Sequence, residues 1–149
     1  MVHRRLATTN EILELNPFGT FVAIGGVIIG ILAAFIGDDI SLGMSRSLHN
    51  SANYVAHTWG FFFALGGVLK ISGLYRRKLV TEIPGLWMLA GGYGFYAVTV
   101  AIGLGFQGVV AAIVSGCIAL GCVNKAVHIL NRAKRFGVLE RGLTDAGRD

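Results

Sequence analysis

The chain has 149 residues, of which 54% are hydrophobic and 14% are charged, and its formal net charge is +5. Four long apolar segments occupy most of it, which leaves no room for a separate soluble catalytic domain. A positive net charge can indicate nucleic-acid binding, but basic residues beside apolar segments are better explained by topology and anionic lipid. We therefore expect a lipid bilayer as the partner, and no nucleic acid.

The first predicted element is a cytoplasmic or interfacial segment over residues 1–17, which Asn16-Pro17 separates from the apolar region. A transmembrane domain over 18–123 follows, because a helix of about 20 residues crosses a roughly 30 Å hydrocarbon core. The spans are predicted at Phe18–Gly37, Tyr54–Ile71, Ile83–Gly105 and Phe106–Val123.

The connections between the spans are short. Asp38 and Asp39 open a predicted solvated loop between the first two spans. The glycine-rich stretch 103–108 predicts a tight antiparallel hairpin of the last two. Residues 124–149 form a basic amphipathic cytoplasmic tail, in which helical spacing predicts that the fourth helix continues past Val123.

The distribution of charge predicts the orientation. Twelve of the thirteen Lys and Arg residues fall on one side of the four spans, and Arg46 alone falls on the other. By the positive-inside rule, both termini and the 72–82 loop are cytoplasmic, as expected of a multi-pass protein of the cytoplasmic (inner) membrane. The predicted fold class is all-α, a polytopic four-transmembrane-helix bundle. The basic residues expected at the cytoplasmic lipid headgroups are Arg76, Arg77, Lys78, Lys125, Arg132, Lys134 and Arg135.

Small residues recur at four-residue intervals in every span. The 22 glycines are about twice the ordinary usage, and many of them lie inside apolar segments. Small residues at this spacing form a groove that allows close helix packing in lipid. The grooves suit packing within the bundle, association between copies, or both. The positions predicted for helix packing or oligomerisation are Gly26, Gly30, Ala56, Gly60, Ala64, Ala101, Gly105, Gly108, Ala112 and Gly116.

Ionisable residues are rare inside the spans. His57 is expected to hydrogen-bond at the headgroup level, with a proton-responsive role as the alternative, and Lys70 is expected to snorkel to the cytoplasmic surface. Most of the Trp and Tyr residues fall near span ends, as amphipathic rings do at membrane interfaces: Trp59, Trp87, Tyr54, Tyr75 and Tyr93. The run Phe61-Phe62-Phe63 surrounds the second span, so at least one ring should face lipid or another subunit.

The sequence contains no recognisable catalytic set. We find no zinc-ligand spacing, phosphate-binding loop, nucleophile with a base, or paired intramembrane carboxylates. We therefore predict no catalytic residues, no cofactor, no metal and no enzymatic activity.

The chain resembles the small membrane proteins, including holins, that are encoded in lysis regions of phages infecting actinobacteria. Four features carry the resemblance: Asn16-Pro17-Phe18-Gly19 leading into a first span with Gly25-Gly26, Tyr75-Arg76-Arg77 after the second span, the hairpin at 103–108, and the basic tail. The resemblance implies timed permeabilisation of the cytoplasmic membrane by oligomers during phage lysis.

Two other functions are possible, of which only the first fits the composition equally well. The first is a non-catalytic accessory subunit that packs against a larger membrane complex through its small-residue faces. The second, a small channel or transporter, is the least favoured because the sequence lacks a charged or strongly polar residue near the middle of a span.

Overall fold

A computed structural model describes residues 17–40, 42–48, 52–76 and 78–146. Side chains are described as far as Arg132, except at positions 38, 40, 52 and 79. Most of the predicted N-terminal segment, Arg77, and the side chains of Lys134 and Arg135 therefore lie outside the described residues.

The described residues confirm the all-α class. The elements are α1 (Pro17–Ile36), a 3-10 turn (Gly37–Ile40), α2 (Leu42–Leu48), α3 (Ala52–Arg76), α4 (Leu79–Leu104), a second 3-10 turn (Gly105–Gly108) and α5 (Val109–Ala146). The fourth long helix continues past Val123, as its helical spacing predicts.

Three helical stretches are long and apolar enough to cross a membrane, which is consistent with a membrane protein. They are Pro17–Ile36, Asn53–Arg76 and Val80–Arg132. The last stretch contains most of α4, the second 3-10 turn and the first part of α5.

The long helices pack in chain order. Helix α1 lies against α3, α3 against α4, and α4 against α5, whereas α1 and α5 make few contacts with each other. The core between them includes Ala23 from α1, Phe63 from α3, Leu89 from α4 and Ala126 from α5. A groove runs between α1 and α5, and we call it the seam. Its walls include Val22 and Ile29 on α1 and Ser115 and Ile118 on α5.

Glycine allows α1 and α3 to approach closely. A Cβ atom on Gly30 would lie 2.7 Å from the carbonyl oxygen of Gly60, and one on Gly60 would lie 2.6 Å from the backbone nitrogen of Ala34. Real Cβ atoms do not approach backbone this closely, so the crossing requires a residue without a side chain at both positions.

The connection between α1 and α3 contains a helix where the sequence predicted a loop. Gly37 ends α1 with φ +77°, a left-handed conformation suited to glycine. Helix α2 then packs against α4 with Met44 fully buried. Ser47 Oγ lies within hydrogen-bonding distance of the carbonyl oxygens of Gly43 and Thr99. The short helix was missed because its seven residues carry too few apolar positions to show a period. Asp39 is exposed, as predicted.

Candidate functional site

Buried charge collects at one end of the bundle, which we call the basic end: here α1 begins, α3 ends and α4 begins. Lys70 is 1% exposed and Glu82 is 6% exposed. Lys70 Nζ donates a hydrogen bond to the carbonyl oxygen of Gly19. Lys125 Nζ lies 2.8 Å from Oε1 of Glu82. That oxygen has no hydrogen bond of good geometry among the described residues, so the contact is an ion pair.

Glycines allow the backbones of α3 and α4 to approach closely beside these charged residues. A Cβ atom on Gly73 would lie 2.6 Å from the backbone nitrogen of Glu82, and one on Gly85 would lie 2.8 Å from the carbonyl oxygen of Gly66. The backbone nitrogen of Lys78 donates to the carbonyl oxygen of Gly73 and closes the turn. Glu82 follows this turn and lies in the first turn of α4, where the helix dipole favours a carboxylate.

The cluster has more positive than negative charge. Lys70 and Lys125 share the basic end with one described carboxylate, that of Glu82, which is paired with Lys125. The only other described carboxylate side chain is Asp39, which is exposed in the turn after α1. The cluster formed by Lys70, Glu82 and Lys125 therefore has a formal excess of one positive charge, within a largely apolar bundle.

An aromatic group fills the middle of the bundle. Trp59 stacks on Phe63 with ring centroids 5.0 Å apart, and its Nε1 donates to the carbonyl oxygen of Gly92 at 3.0 Å. Tyr93 Oη donates to the carbonyl oxygen of Val22 at 3.1 Å. Of the five aromatic residues near span ends, Trp59 and Tyr93 therefore have hydrogen-bond partners inside the bundle.

Two cavities lie along the seam, each lined by all four long helices. The first, of about 290 Å³, is bounded by Ile29, Leu32, Trp59, Phe63, Tyr93, Tyr96 and Ser115. The second, of about 120 Å³, lies nearer the basic end and is bounded by Phe18, Gly19, Val22, Lys70, Leu86, Ile118, Gly121, Cys122 and Lys125. Charged groups line only the second cavity.

The small residues predicted on α1 and α3 lie together inside the bundle. Ala56 is fully buried, Gly26 faces Leu89 and Phe63, and Gly30 meets Gly60 and Ala64.

The small residues predicted on α4 and α5 do not pack together in a single interface. Gly108 packs against Val100, whereas Ala101 and Gly105 are exposed. Ala112 and Gly116 are half-buried, and a Cβ atom on Gly116 would have no neighbour within 4 Å.

Several close-packing glycines were not predicted. Gly66, Gly67, Gly73, Gly85 and Gly92 all have neighbours that a Cβ atom would strike. The seven-residue spacings Gly60 to Gly67 and Gly66 to Gly73 on α3 are a signal that a search at four-residue intervals does not detect.

The predicted role of Lys70 is wrong, since its ammonium group is buried against Gly19 and does not snorkel. The Nδ1 atom of His57 lies 2.7 Å from the carbonyl oxygen of Ala34, so this atom caps the end of α1. The headgroup bond and the proton-responsive role of His57 stay predictions.

The other expected positions are mostly at the surface. Arg76, Lys78 and Arg132 are exposed, and Lys125 is half-buried in its ion pair. Phe61 and Phe62 are 62% and 54% exposed while Phe63 is buried, so two rings of the run face outward as predicted.

Within the part of the chain that the structure describes, no three His, Cys, Asp or Glu residues are grouped to hold a metal ion. The chain matches no family model, no curated protein and no solved structure.

Proposed function

We propose that this is a four-span protein of the cytoplasmic membrane, with both termini in the cytoplasm, that permeabilises the membrane by self-association in the manner of a holin. Helices α4 and α5 have 26 and 38 residues and are joined by a four-residue 3-10 turn. Each exceeds the roughly 20 residues that a span requires, which supports two crossings within Val80–Arg132.

The exposed charges support the orientation. Arg76, Lys78 and Arg132 lie at or beyond the basic end, whereas Arg46 lies on α2, in the connection at the opposite end. The positive-inside rule then makes the basic end cytoplasmic.

The observation that carries the proposed self-association is the free outer face of α5. This helix packs chiefly against α4, and its outer side exposes Ile113 and Leu120 with Gly116 between them. Gly116 has open space where a Cβ atom would lie. A glycine between larger apolar residues forms a groove in which a second helix can approach closely, and such contacts drive helix association in lipid.

In this proposal the bundle is the unit that assembles. The small residues on α1 and α3 are already used in packing within one copy, so we place the contact between copies on the face around Gly116, which is open. Copies accumulate laterally through this face until a lesion opens between them. No catalytic residue is required.

Inducible expression in a bacterium, with membrane potential and viability followed over time, tests the proposal. Gly116→Leu blocks the groove, and Gly91→Leu is the matched control because Gly91 is exposed on α4 and its Cβ position is also open. We expect delayed, abrupt depolarisation from the natural chain and from Gly91→Leu, and its loss or a changed delay in Gly116→Leu.

The other outcomes separate the alternatives. Stable, harmless insertion of the natural chain contradicts the holin-like function and favours the accessory-subunit role. Depolarisation by Gly116→Leu with unchanged timing contradicts association through α5.

A further inference from the structure

The seam is lined by lysines at one end and by uncharged side chains at the other, which complements the anionic headgroup and the apolar chain of a phospholipid. Its cavity near the basic end has Lys70 and Lys125 among apolar side chains such as Val22 and Ile118. The cavity farther along is bounded by apolar and aromatic side chains and a few hydroxyl groups, with no charged residue. A molecule that fits this distribution has an anionic group at one end and an apolar chain extending from it.

The charge of the cluster favours an anion. Glu82 balances one of the two lysines, and an unbalanced cation inside a membrane protein is costly. An ammonium group has three donors, so Lys125 retains donors beyond its contact with Glu82. Its side chain is 32% exposed, which leaves it accessible from the bilayer surface. Lys70 lies deeper and adds positive charge behind it.

The length of the seam matches one leaflet. Lys125 lines the cavity at the basic end, and Ser115 lines the other cavity, ten residues earlier on the same helix. At about 1.5 Å per residue this separation is about 15 Å, half of the roughly 30 Å hydrocarbon core. An acyl chain whose headgroup is at Lys125 therefore ends near the level of Ser115.

We propose that the seam binds one anionic phospholipid from the leaflet at the basic end. Its phosphate contacts Lys125, with Lys70 behind, and one acyl chain lies between α1 and α5 toward Phe63 and Trp59. The site rests on the proposed function only in requiring that the bundle be inserted in a membrane with this topology, and it does not require lysis activity. Absence of lysis activity therefore leaves the lipid site standing, and absence of lipid binding leaves the lysis activity standing.

Trp59 provides a reporter, because it lines the cavity at the far end of the seam. It also lines a groove between α3 and α4, so the seam is read from the difference between two lipids and between variants. The chain has two tryptophans, so a Trp87→Phe background leaves Trp59 alone. The full chain in this background is reconstituted in phosphatidylcholine vesicles containing a minor fraction of brominated lipid, either phosphatidylglycerol or phosphatidylcholine with the same acyl chains. Bromine quenches tryptophan fluorescence on contact, so quenching measures occupancy near Trp59.

We expect brominated phosphatidylglycerol to quench at a mole fraction about fivefold lower than brominated phosphatidylcholine, the preference that one interfacial lysine supplies. Lys125→Gln should remove most of this preference. Lys78→Gln is the matched control, because it removes the same charge from an exposed lysine at the same end, and it should retain the preference.

A second variant tests the cavity without changing the charge. Gly121 lines the cavity at the basic end and its Cβ position is open, so Gly121→Leu should obstruct the seam and lower the preference. Gly116→Leu, on the same helix at a position that lines neither cavity, should retain it. Circular dichroism of each variant verifies that the helical content is preserved.

Four results of the comparison between lipids and variants would overturn the proposal. They are equal quenching by the two lipids, a preference that survives Lys125→Gln, an equal loss in Lys78→Gln, and a preference that survives Gly121→Leu. Inorganic phosphate is added in a separate sample, with sulfate at equal ionic strength as its control. If phosphate alone abolishes the preference, the site takes free phosphate and the lipid assignment is wrong.

Discussion

The ammonium group of Lys125 lies 2.8 Å from a carboxylate oxygen of Glu82, 43 positions earlier in the chain. This ion pair joins the beginning of α4 to the part of α5 that passes the basic end. At the same end, the ammonium group of Lys70 on α3 donates to a backbone carbonyl of α1. These two contacts connect the four long helices in two pairs, α4 with α5 and α3 with α1.

Glu82→Gln should destabilise the bundle. The change leaves Lys125 and Lys70 without a described carboxylate at the basic end. Because Glu82 is buried while Lys125 is partly exposed, we expect a loss of about 2 kcal/mol, between the values for surface and buried pairs. Chemical unfolding of the purified protein in detergent measures the change. Asp39→Asn, which neutralises an exposed carboxylate at the opposite end, should change stability by less than about 0.5 kcal/mol. Equal effects of the two variants would show that the ion pair contributes little.

Gly30→Ala and Gly116→Ala should shift stability in opposite directions. The new methyl group at Gly30 strikes backbone atoms of α3, so we expect a loss of about 1–3 kcal/mol. At Gly116 the methyl group enters open space, and alanine favours a helix over glycine by about 0.5–1 kcal/mol. The same unfolding assay measures both. A neutral Gly30→Ala variant would contradict the close crossing of α1 and α3.

Trp59→Phe should cost about 1 kcal/mol or more, because the variant retains an aromatic ring but loses the hydrogen bond to the carbonyl oxygen of Gly92. Trp87→Phe is the matched control, since Trp87 is 47% exposed. Unfolding midpoints in detergent compare the two. If Trp87→Phe is as destabilising as Trp59→Phe, the hydrogen bond from Trp59 to Gly92 adds nothing measurable to the stability of the bundle.

The sequence predicted the elements with strong periodic or compositional signals. The apolar runs predict the long helices, and the glycine-rich stretch at 103–108 coincides with the turn between α4 and α5. Small residues at four-residue intervals identified Gly30 and Gly60, which do meet at a helix crossing. These features depend on residues close together in the chain, where a pattern is visible.

The charge cluster depends on residues far apart in the chain and could not be predicted in this way. Lys70 looks like a basic residue at the end of a span, and only the glycine contacts between α3 and α4 show that it is enclosed next to Glu82. Trp59 and Tyr93 resemble interfacial aromatics in composition, yet each donates to a backbone carbonyl of a neighbouring long helix. Pairings of this kind follow from how the helices cross.

Membrane topology underlies both proposals, and site-directed cysteine labelling tests it most directly. Cys117 and Cys122 are first replaced by alanine, and single cysteines are then introduced at Arg46 and at Lys78, which are both exposed. In intact bacterial spheroplasts, a membrane-impermeant maleimide should label position 46 and not position 78. After the cells are lysed, both positions should be labelled. Labelling of position 78 from outside, or protection of position 46, would contradict a four-span bundle with its basic end in the cytoplasm.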